Sequence, residues 1–461
     1  RLGREQNHDR KPQLRVRSKG LHRLPRRRLL TDVNTKLSID TSDRVSSLLI
    51  AALLLVTTLA AAVWRLSDVG PGFPGSESYS RIAQNLLHTG QFGTSFRPPV
   101  YPLFLAGMMA LFGEYWEYGA VFIQAILSAT LGFLLYRTTE LLAESRTAGF
   151  FAVGLYLTNI LFQFETTAKR ETTIFTLLLV LFFWGALFIK RFPQKYLLMS
   201  LTAALALLLR PNAVALLPVG ALVLLFDCRT TSFSIRSLLA PIILFLALII
   251  PWQLFVLETT GTFPLTTSTN SGQTLWKGNN AHLFAVWPKA DVDLLESEMS
   301  VGIGNVDITT AEGDRLLKAQ AIEFIKADPL RAIRLGVAKA LLFFSPVPIP
   351  MGDGELVFEN GTPHFKEFRY RNLFVLVFST IHSAILVVGF VGFLASVRRA
   401  TDLRQRAAFI VGTFTLLLLL IHSLTYPESR YRWPLDILWT ILAADYFSRL
   451  LARSDRPSTA P

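Results

Sequence analysis

Apolar residues in this chain gather into runs long enough to cross a hydrocarbon core of ~30 Å, and they rarely alternate singly with polar ones. The run at 46–64 reads S-S-L-L-I-A-A-L-L-L-V-T-T-L-A-A-A-V-W and carries no charge. On this pattern membrane-spanning helices are predicted near 46–64, 117–137, 148–164, 172–190, 196–209, 212–227, 236–256, 372–396, 406–424 and 434–450, about ten helices at ~20 residues per crossing. The pair within 196–227 is short for two crossings, and one bent helix or a re-entrant hairpin fits the same residues. The chain reads as an all-α polytopic membrane protein.

Composition supports this class. Apolar residues are 51% of the 461 and charged residues only 17%, too little charge for the surfaces of several soluble domains. The single cysteine, Cys228, excludes an intramolecular disulfide and a cysteine-based zinc site.

Charge placement then predicts orientation. Residues 1–45 hold runs such as Arg26-Arg27-Arg28 and little apolar content. They are expected to be a disordered cytoplasmic segment near anionic lipid, not a nucleic-acid arm. The connections at 137–146, 190–195, 229–236 and 398–406, with the tail at 451–461, are basic and fall on the cytoplasmic side under the positive-inside rule. Both termini are then cytoplasmic. The connections 65–116, 165–171, the turn near 210, 257–371 and 425–433 face outward. In the first of these, 102–113 is too short to span and is expected to be a juxtamembrane helix. The segment 257–371 is long enough for a small extracytoplasmic subdomain. It divides a transmembrane core, 46–256, from C-terminal helices, 372–450.

The residues that could carry chemistry fall in those outward connections. Glu77 precedes an amphipathic stretch, which places its carboxylate at a helix N-terminus. Arg97 precedes Pro98-Pro99, which holds it in extended backbone and presents a rigid guanidinium suited to phosphate. Glu165, Lys169, Arg170 and Glu171 crowd the loop before the fourth span, and Glu171 reads as a second carboxylate facing Glu77. Arg210 interrupts apolar sequence, a costly position unless it meets a partner or a wet cavity. Tyr426-Pro427-Glu428-Ser429-Arg430-Tyr431-Arg432-Trp433-Pro434 packs cations, an acid and aromatics into one turn, apt for a phosphate or a sugar ring. Tyr79, Tyr101, Glu428 and Tyr431 are candidates for substrate contact. A divalent ion between Glu77 and Glu171 is compatible with the residues, but no ligand spacing demands a metal.

In their order along 45–450 these motifs resemble the GT-C class of polytopic glycosyltransferases, in its family 39-like bacterial branch. Relatives there are protein O-mannosyltransferases and lipid A aminoarabinose transferases. The matching pieces are Glu77-x-Tyr79 with Ile82-Ala83-x-Asn85-Leu86, Arg97-Pro98-Pro99-Val100-Tyr101-Pro102, Glu171, Leu209-Arg210-Pro211, Pro251-Trp252, Ser268-Thr269-Asn270-Ser271-Gly272 with Gly278-Asn279-Asn280, and Pro427 to Pro434. The resemblance implies a GT-C-like fold in a bacterial inner membrane. It implies a polyprenyl-phosphate sugar donor, used on the outer face with inversion, and a lipid, protein or glycan acceptor. It implies Glu77 as the base, where the family usually has Asp, and Arg97, Arg210, Arg430 and Arg432 as donor-phosphate ligands. Such chemistry needs no general acid, because a lipid phosphate is a good leaving group: one carboxylate takes the acceptor proton and cations hold the departing charge. The competing expectation is a non-catalytic carrier or scaffold that binds polyprenyl phosphates. It would need the arginines but not Glu77.

Overall fold

The computed structural model describes residues 41–69, 77–230, 234–261, 266–281, 283, 287–288, 307–347, 354–359, 362–367, 372–399, 402–426 and 428–454. The expectations for the basic segment 1–40, for Pro427 and for the tail beyond 454 lie outside the described residues. Two units divide the chain, 1–50 and 51–461. Apart from the start of its first helix, everything below belongs to the second.

The helices are α1 (Thr41–Val69), α2 (Glu77–Thr89), α3 (Val100–Phe112), α4 (Trp116–Ala143), α5 (Arg146–Thr158), α6 (Ile160–Thr166), α7 (Thr172–Phe188), α8 (Phe192–Leu207), α9 (Leu216–Thr230), α10 (Leu239–Thr260), α11 (Ser271–Gly278), α12 (Ala311–Ala327), α13 (Pro329–Phe343), α14 (Asn372–Arg399), α15 (Asp402–Leu424) and α16 (Ser429–Ser454). Among the described residues six segments are long and apolar enough to cross a membrane: Ser46–Val63, Val100–Ala143, Pro211–Arg229, Arg236–Thr260, Thr380–Arg398 and Leu403–Leu424. The other predicted spans are helical but fall short of that standard. Residues 148–164 break at Asn159 into α5 and α6. Helices α7 and α8 have 17 and 16 residues. Helix α16 carries Asp436, Asp445 and Arg449 along its length.

Two features depart from the expected outline. The juxtamembrane stretch 102–113 is α3, and its apolar run continues through a 3-10 turn at Gly113–Tyr115 into α4. Gly113 makes that corner at φ 55°, a region that favours glycine. The chain is also not purely helical. Within 257–371, β1 (Gly354–Glu359) pairs antiparallel with β2 (Thr362–Glu367), with Glu359 opposite Thr362. The intervening Asn360-Gly361 is a strong hairpin signal, and the long-run hydropathy pattern passes over it.

Charges inside the bundle are partnered, as burial in a membrane protein requires. Asp227 of α9 meets Lys195 of α8 and Arg406 of α15, each at 2.8 Å. Asp436 of α16 meets His382 of α14 at 3.1 Å. Helices α14 and α16 approach closely at Gly392, where a Cβ would come within 2.4 Å of the Leu442 carbonyl. Close backbone approach at small residues is how helices associate without a hydrophobic drive from water.

The segment after α10 packs as a satellite. Trp276 of α11 and Leu317 and Ala321 of α12 form a buried cluster. Asp314 of α12 accepts from the backbone N–H groups of Gly272 and Gln273 at 2.6 and 3.2 Å, at the α11 N-terminus. Lys339 of α13 is buried and donates to the carbonyls of Gly278 at 3.0 Å and Thr425 at 2.7 Å. These contacts tie the satellite to the end of α15.

Candidate functional site: a cationic cavity at the helix ends

A cavity of about 270 Å³ opens where the loop before α3, the α8–α9 turn, α11 and the α15–α16 connection meet. Its polar wall includes Tyr79, Arg97, Glu171, Arg210, Asn212, Asn270, His422 and Tyr431. The sequence separations are large, so the fold assembles this site from at least five distant segments.

Arg210 is set by the way α8 ends. Its N–H closes on the Ala206 carbonyl at 2.8 Å. The following Pro211 favours extended backbone before it, and Arg210 adopts φ −141°, ψ 126°. The side chain therefore leaves the helix axis and crosses to α7. Its Nε donates to Glu171 Oε1 at 2.6 Å and its Nη2 to Thr172 Oγ1 at 2.7 Å. The Thr172 hydroxyl donates in turn to Glu165 Oε2 at 2.9 Å, and Glu165 holds Arg170 at 2.7 Å. Arg210 Nη1 is buried and has no hydrogen-bond partner among the described residues.

Burial acts to raise the Glu171 carboxyl, but the Arg210 charge and the hydrogen bonds outweigh it and hold it down at about 2. Glu171 is thus a permanent anion and a weak base. Burial would lower the Arg210 guanidinium, yet Glu171 raises it, so Arg210 stays charged. Burial, then the Glu171 charge, push the Tyr79 hydroxyl up, which keeps it a donor.

Arg97 approaches from the other wall. Its Nε donates to Ser78 Oγ at 3.1 Å, and its guanidinium lies 5.2 Å from the Tyr79 ring centre and 4.9 Å from that of Phe96. Pro98 and Pro99 lead directly into α3, and Val100 N donates to the Leu208 carbonyl at 3.2 Å. The Arg97 loop and the Arg210 turn are therefore bonded together.

On the α15 side, the His422 ring stacks between Phe343 and Tyr431, with centres 5.5 and 4.9 Å away. Asn212 Nδ2 lies 3.4 Å from His422 Nε2, and Asn212 Oδ1 is buried without a partner among the described residues. Gly278 packs so tightly under this wall that a Cβ would fall 1.8 Å from the Thr425 carbonyl.

The predicted residues divide into three sets. Arg97, Glu171, Arg210, Tyr79 and Tyr431 line the cavity together. Glu77 stands exposed at the first residue of α2, two residues from Tyr79, and is not part of the cavity wall. The rest are occupied elsewhere, contrary to the expectation of ligand contact. Arg432 is buried, with Nη1 donating to the carbonyls of Phe343 at 2.9 Å and Ser345 at 2.5 Å and Nε to Asp436 at 3.2 Å. Glu428 is buried against Arg430, which stacks over Tyr431 at 5.3 Å. Tyr101 is fully buried and donates to Gln124 at 2.8 Å. In the 428–434 turn, helical register sends neighbouring side chains to different faces; Tyr431 reaches the cavity, as does Tyr426 just before the turn.

The sequence reading missed His422 and the role of Asn212. A lone His near the end of an apolar helix carries no signal of its own, and only its ring stack reveals its place. Among the described residues no three His, Cys, Asp or Glu side chains gather as a metal site. Glu171 is engaged by Arg210, and Glu77 stands outside the cavity wall.

Residues 96–255 match the family model described as dolichyl-phosphate-mannose-protein mannosyltransferase. That segment contains Arg97, Glu171 and Arg210. Among solved structures, the archaeal oligosaccharyltransferase AglB from Archaeoglobus fulgidus, in complex with an inhibitory peptide and a dolichol-phosphate, aligns over 90% of this chain at TM-score 0.50 and 14% identity. The two share a fold, and the present chain spans 51% of the length of that one. ArnT from Cupriavidus metallidurans bound to undecaprenyl phosphate aligns over 90% of this chain and 80% of its own at TM-score 0.36 and 13% identity. No curated protein matches in sequence. The resemblance to GT-C glycosyltransferases is thus carried by a family match and by a shared fold.

Proposed function

We propose that this chain is a membrane glycosyltransferase, transferring a sugar from a polyprenyl-phosphate donor to an acceptor hydroxyl at the Arg97–Arg210 cavity on the extracytoplasmic face. The observation that carries this reading is the buried Nη1 of Arg210, without a hydrogen-bond partner among the described residues, at the wall of a cavity shared with Arg97. A buried guanidinium nitrogen without a partner costs about 1–3 kcal/mol, and a phosphate oxygen would satisfy it. The match of residues 96–255 to a family of lipid-phosphate mannosyltransferases supports the same ligand class.

In this proposal the two arginines bind the donor phosphate and carry its charge as the glycosidic bond breaks. Glu171 orients Arg210 and stays ionised. It is too weak a base for the acceptor proton, because Arg210 holds it at about 2. Glu77, at the positive end of α2 beside Tyr79, takes the base role. The acceptor oxygen attacks the anomeric carbon opposite the phosphate, its proton passes to Glu77, and the lipid phosphate departs. In-line attack inverts the anomeric centre. Residues 70–76 connect α1 to Glu77 and lie outside the described residues.

The test is transfer of labelled sugar from a panel of polyprenyl-phosphate sugars in membranes holding the wild type, Arg97→Ala or Glu77→Gln. Loss of transfer in both variants is expected; full activity in both would refute the assignment. One observation favours a second reading, a non-catalytic polyprenyl-phosphate binder: Glu77 is absent from the cavity wall. Lipid binding that survives Glu77→Gln, with no turnover of any donor by the wild type, would select it.

A further inference from the structure

A second cavity lies at the far end of the same helices. It has a volume of about 520 Å³ and is lined by Arg398, Arg404 and Arg449 together with apolar residues that include Leu394 and Leu450. Asp445 is the carboxylate paired with this cluster, bonded to Arg404 at 3.0 Å and to Arg449 at 2.7 Å. Among the described side chains, three cations against one anion leave a net charge of +2. Arg404 is further fixed by donating to the Ala143 carbonyl at 3.0 Å. The arginine cluster is therefore built into the ends of α4, α14, α15 and α16, and Arg398 is exposed at the cavity's edge.

The placement limits what such a cluster can meet. Arg404 opens α15 and His422, in the first cavity, closes it. Their 18-residue separation along one helix is a rise of ~27 Å, close to the hydrocarbon thickness of ~30 Å. The two cavities therefore sit at opposite membrane surfaces. Leu394 and Leu450, 37% and 41% exposed, give the second one an apolar wall beside its charge. A phosphodiester headgroup with acyl chains alongside fits both walls, whereas a free soluble anion would use only the arginines.

We propose that this cavity is a binding site for the phosphate headgroup of an anionic membrane lipid, at the membrane surface opposite the candidate active site. The reading does not depend on the proposed transfer activity.

The test uses the full chain in nanodiscs of phosphatidylcholine with a minor fraction of phosphatidylglycerol, and counts lipids retained on mild release by native mass spectrometry. Wild type should retain phosphatidylglycerol selectively. Arg398→Gln should weaken that retention about fivefold, the share of one interfacial cation. Leu394→Glu, which leaves the partners of Asp445 untouched, should abolish it. Both variants should keep the wild-type elution profile. Inorganic phosphate at millimolar concentration should not displace the lipid. Equal retention of both lipids by wild type, unchanged retention in both variants, or displacement by phosphate alone would each overturn the proposal.

Discussion

Arg210 and Glu171 form a buried ion pair at 2.6 Å, in which the carboxylate engages Nε and leaves Nη1 without a hydrogen-bond partner among the described residues. The pair holds a cation ready at the cavity wall: Glu171 offsets its burial cost while part of its donor capacity stays available. Removing either partner strands the other in a desolvated position.

Glu171→Gln should therefore lower stability by about 3 kcal/mol, the usual cost of breaking a buried pair from one side. The pH dependence has a defined sign. Because the folded carboxyl sits at about 2, below its unfolded value, the pair's contribution is full above the unfolded range, roughly pH 4–5. It fades as pH falls towards 2. Thermal unfolding in detergent should show a constant gap between wild type and Glu171→Gln from pH 8 to 5, and a narrowing gap below pH 4 (about the unfolded carboxylate pKa).

Lys339 should show a pH dependence of the same sign in an alkaline window. Burial lowers its ammonium to about 8, below its unfolded value. The unfolded chain thus binds more protons between about pH 8 and 10, and wild-type stability should rise through that window. Lys339→Met, which abandons the carbonyls of Gly278 and Thr425, should be less stable at pH 7 and should lack that rise. Unfolding midpoints of both proteins across pH 7–10 provide the check, about the range set by the ordinary lysine pKa.

Gly278→Ala probes the cavity wall. Its Cβ would meet the Thr425 carbonyl at 1.8 Å, so the backbone leading into Tyr426 and Tyr431 must move. Binding of a polyprenyl phosphate should weaken at least tenfold, about the effect of 1.4 kcal/mol. Unchanged affinity would mean that this wall does not touch the ligand.

Arg432→Met separates structure from binding within one motif. Arg432 serves Phe343, Ser345 and Asp436, not the cavity. The variant should lose about 3–5 kcal/mol of stability, while the lipid-phosphate affinity of the folded fraction stays unchanged. A selective loss of affinity at unchanged stability would restore Arg432 as a ligand.

Much of this was legible in the sequence, for identifiable reasons. Long apolar runs gave the membrane class, because hydropathy over ~20 residues is a strong signal. Arg97 and Arg210 stood out as a cation set before a Pro pair and a charge inside apolar sequence, and both line the cavity. The turn at 428–434 misled because density of charge is not direction. Arg432 and Tyr431 are adjacent, yet one serves the bundle interior and the other the cavity. His422 was silent because its role depends on a stack with Phe343 and Tyr431, residues of other helices.

The central claim is that a lipid-linked phosphate sits between Arg97 and Arg210. Photocrosslinking with a polyprenyl phosphate carrying a reactive group beside the phosphate tests it most directly, read by peptide mapping in wild type and Arg97→Ala. The account predicts adducts at cavity-wall residues around Tyr79, Thr274 and Tyr431, and their loss in Arg97→Ala. Adducts confined to other surfaces, or an adduct pattern that Arg97→Ala leaves unchanged, would contradict it.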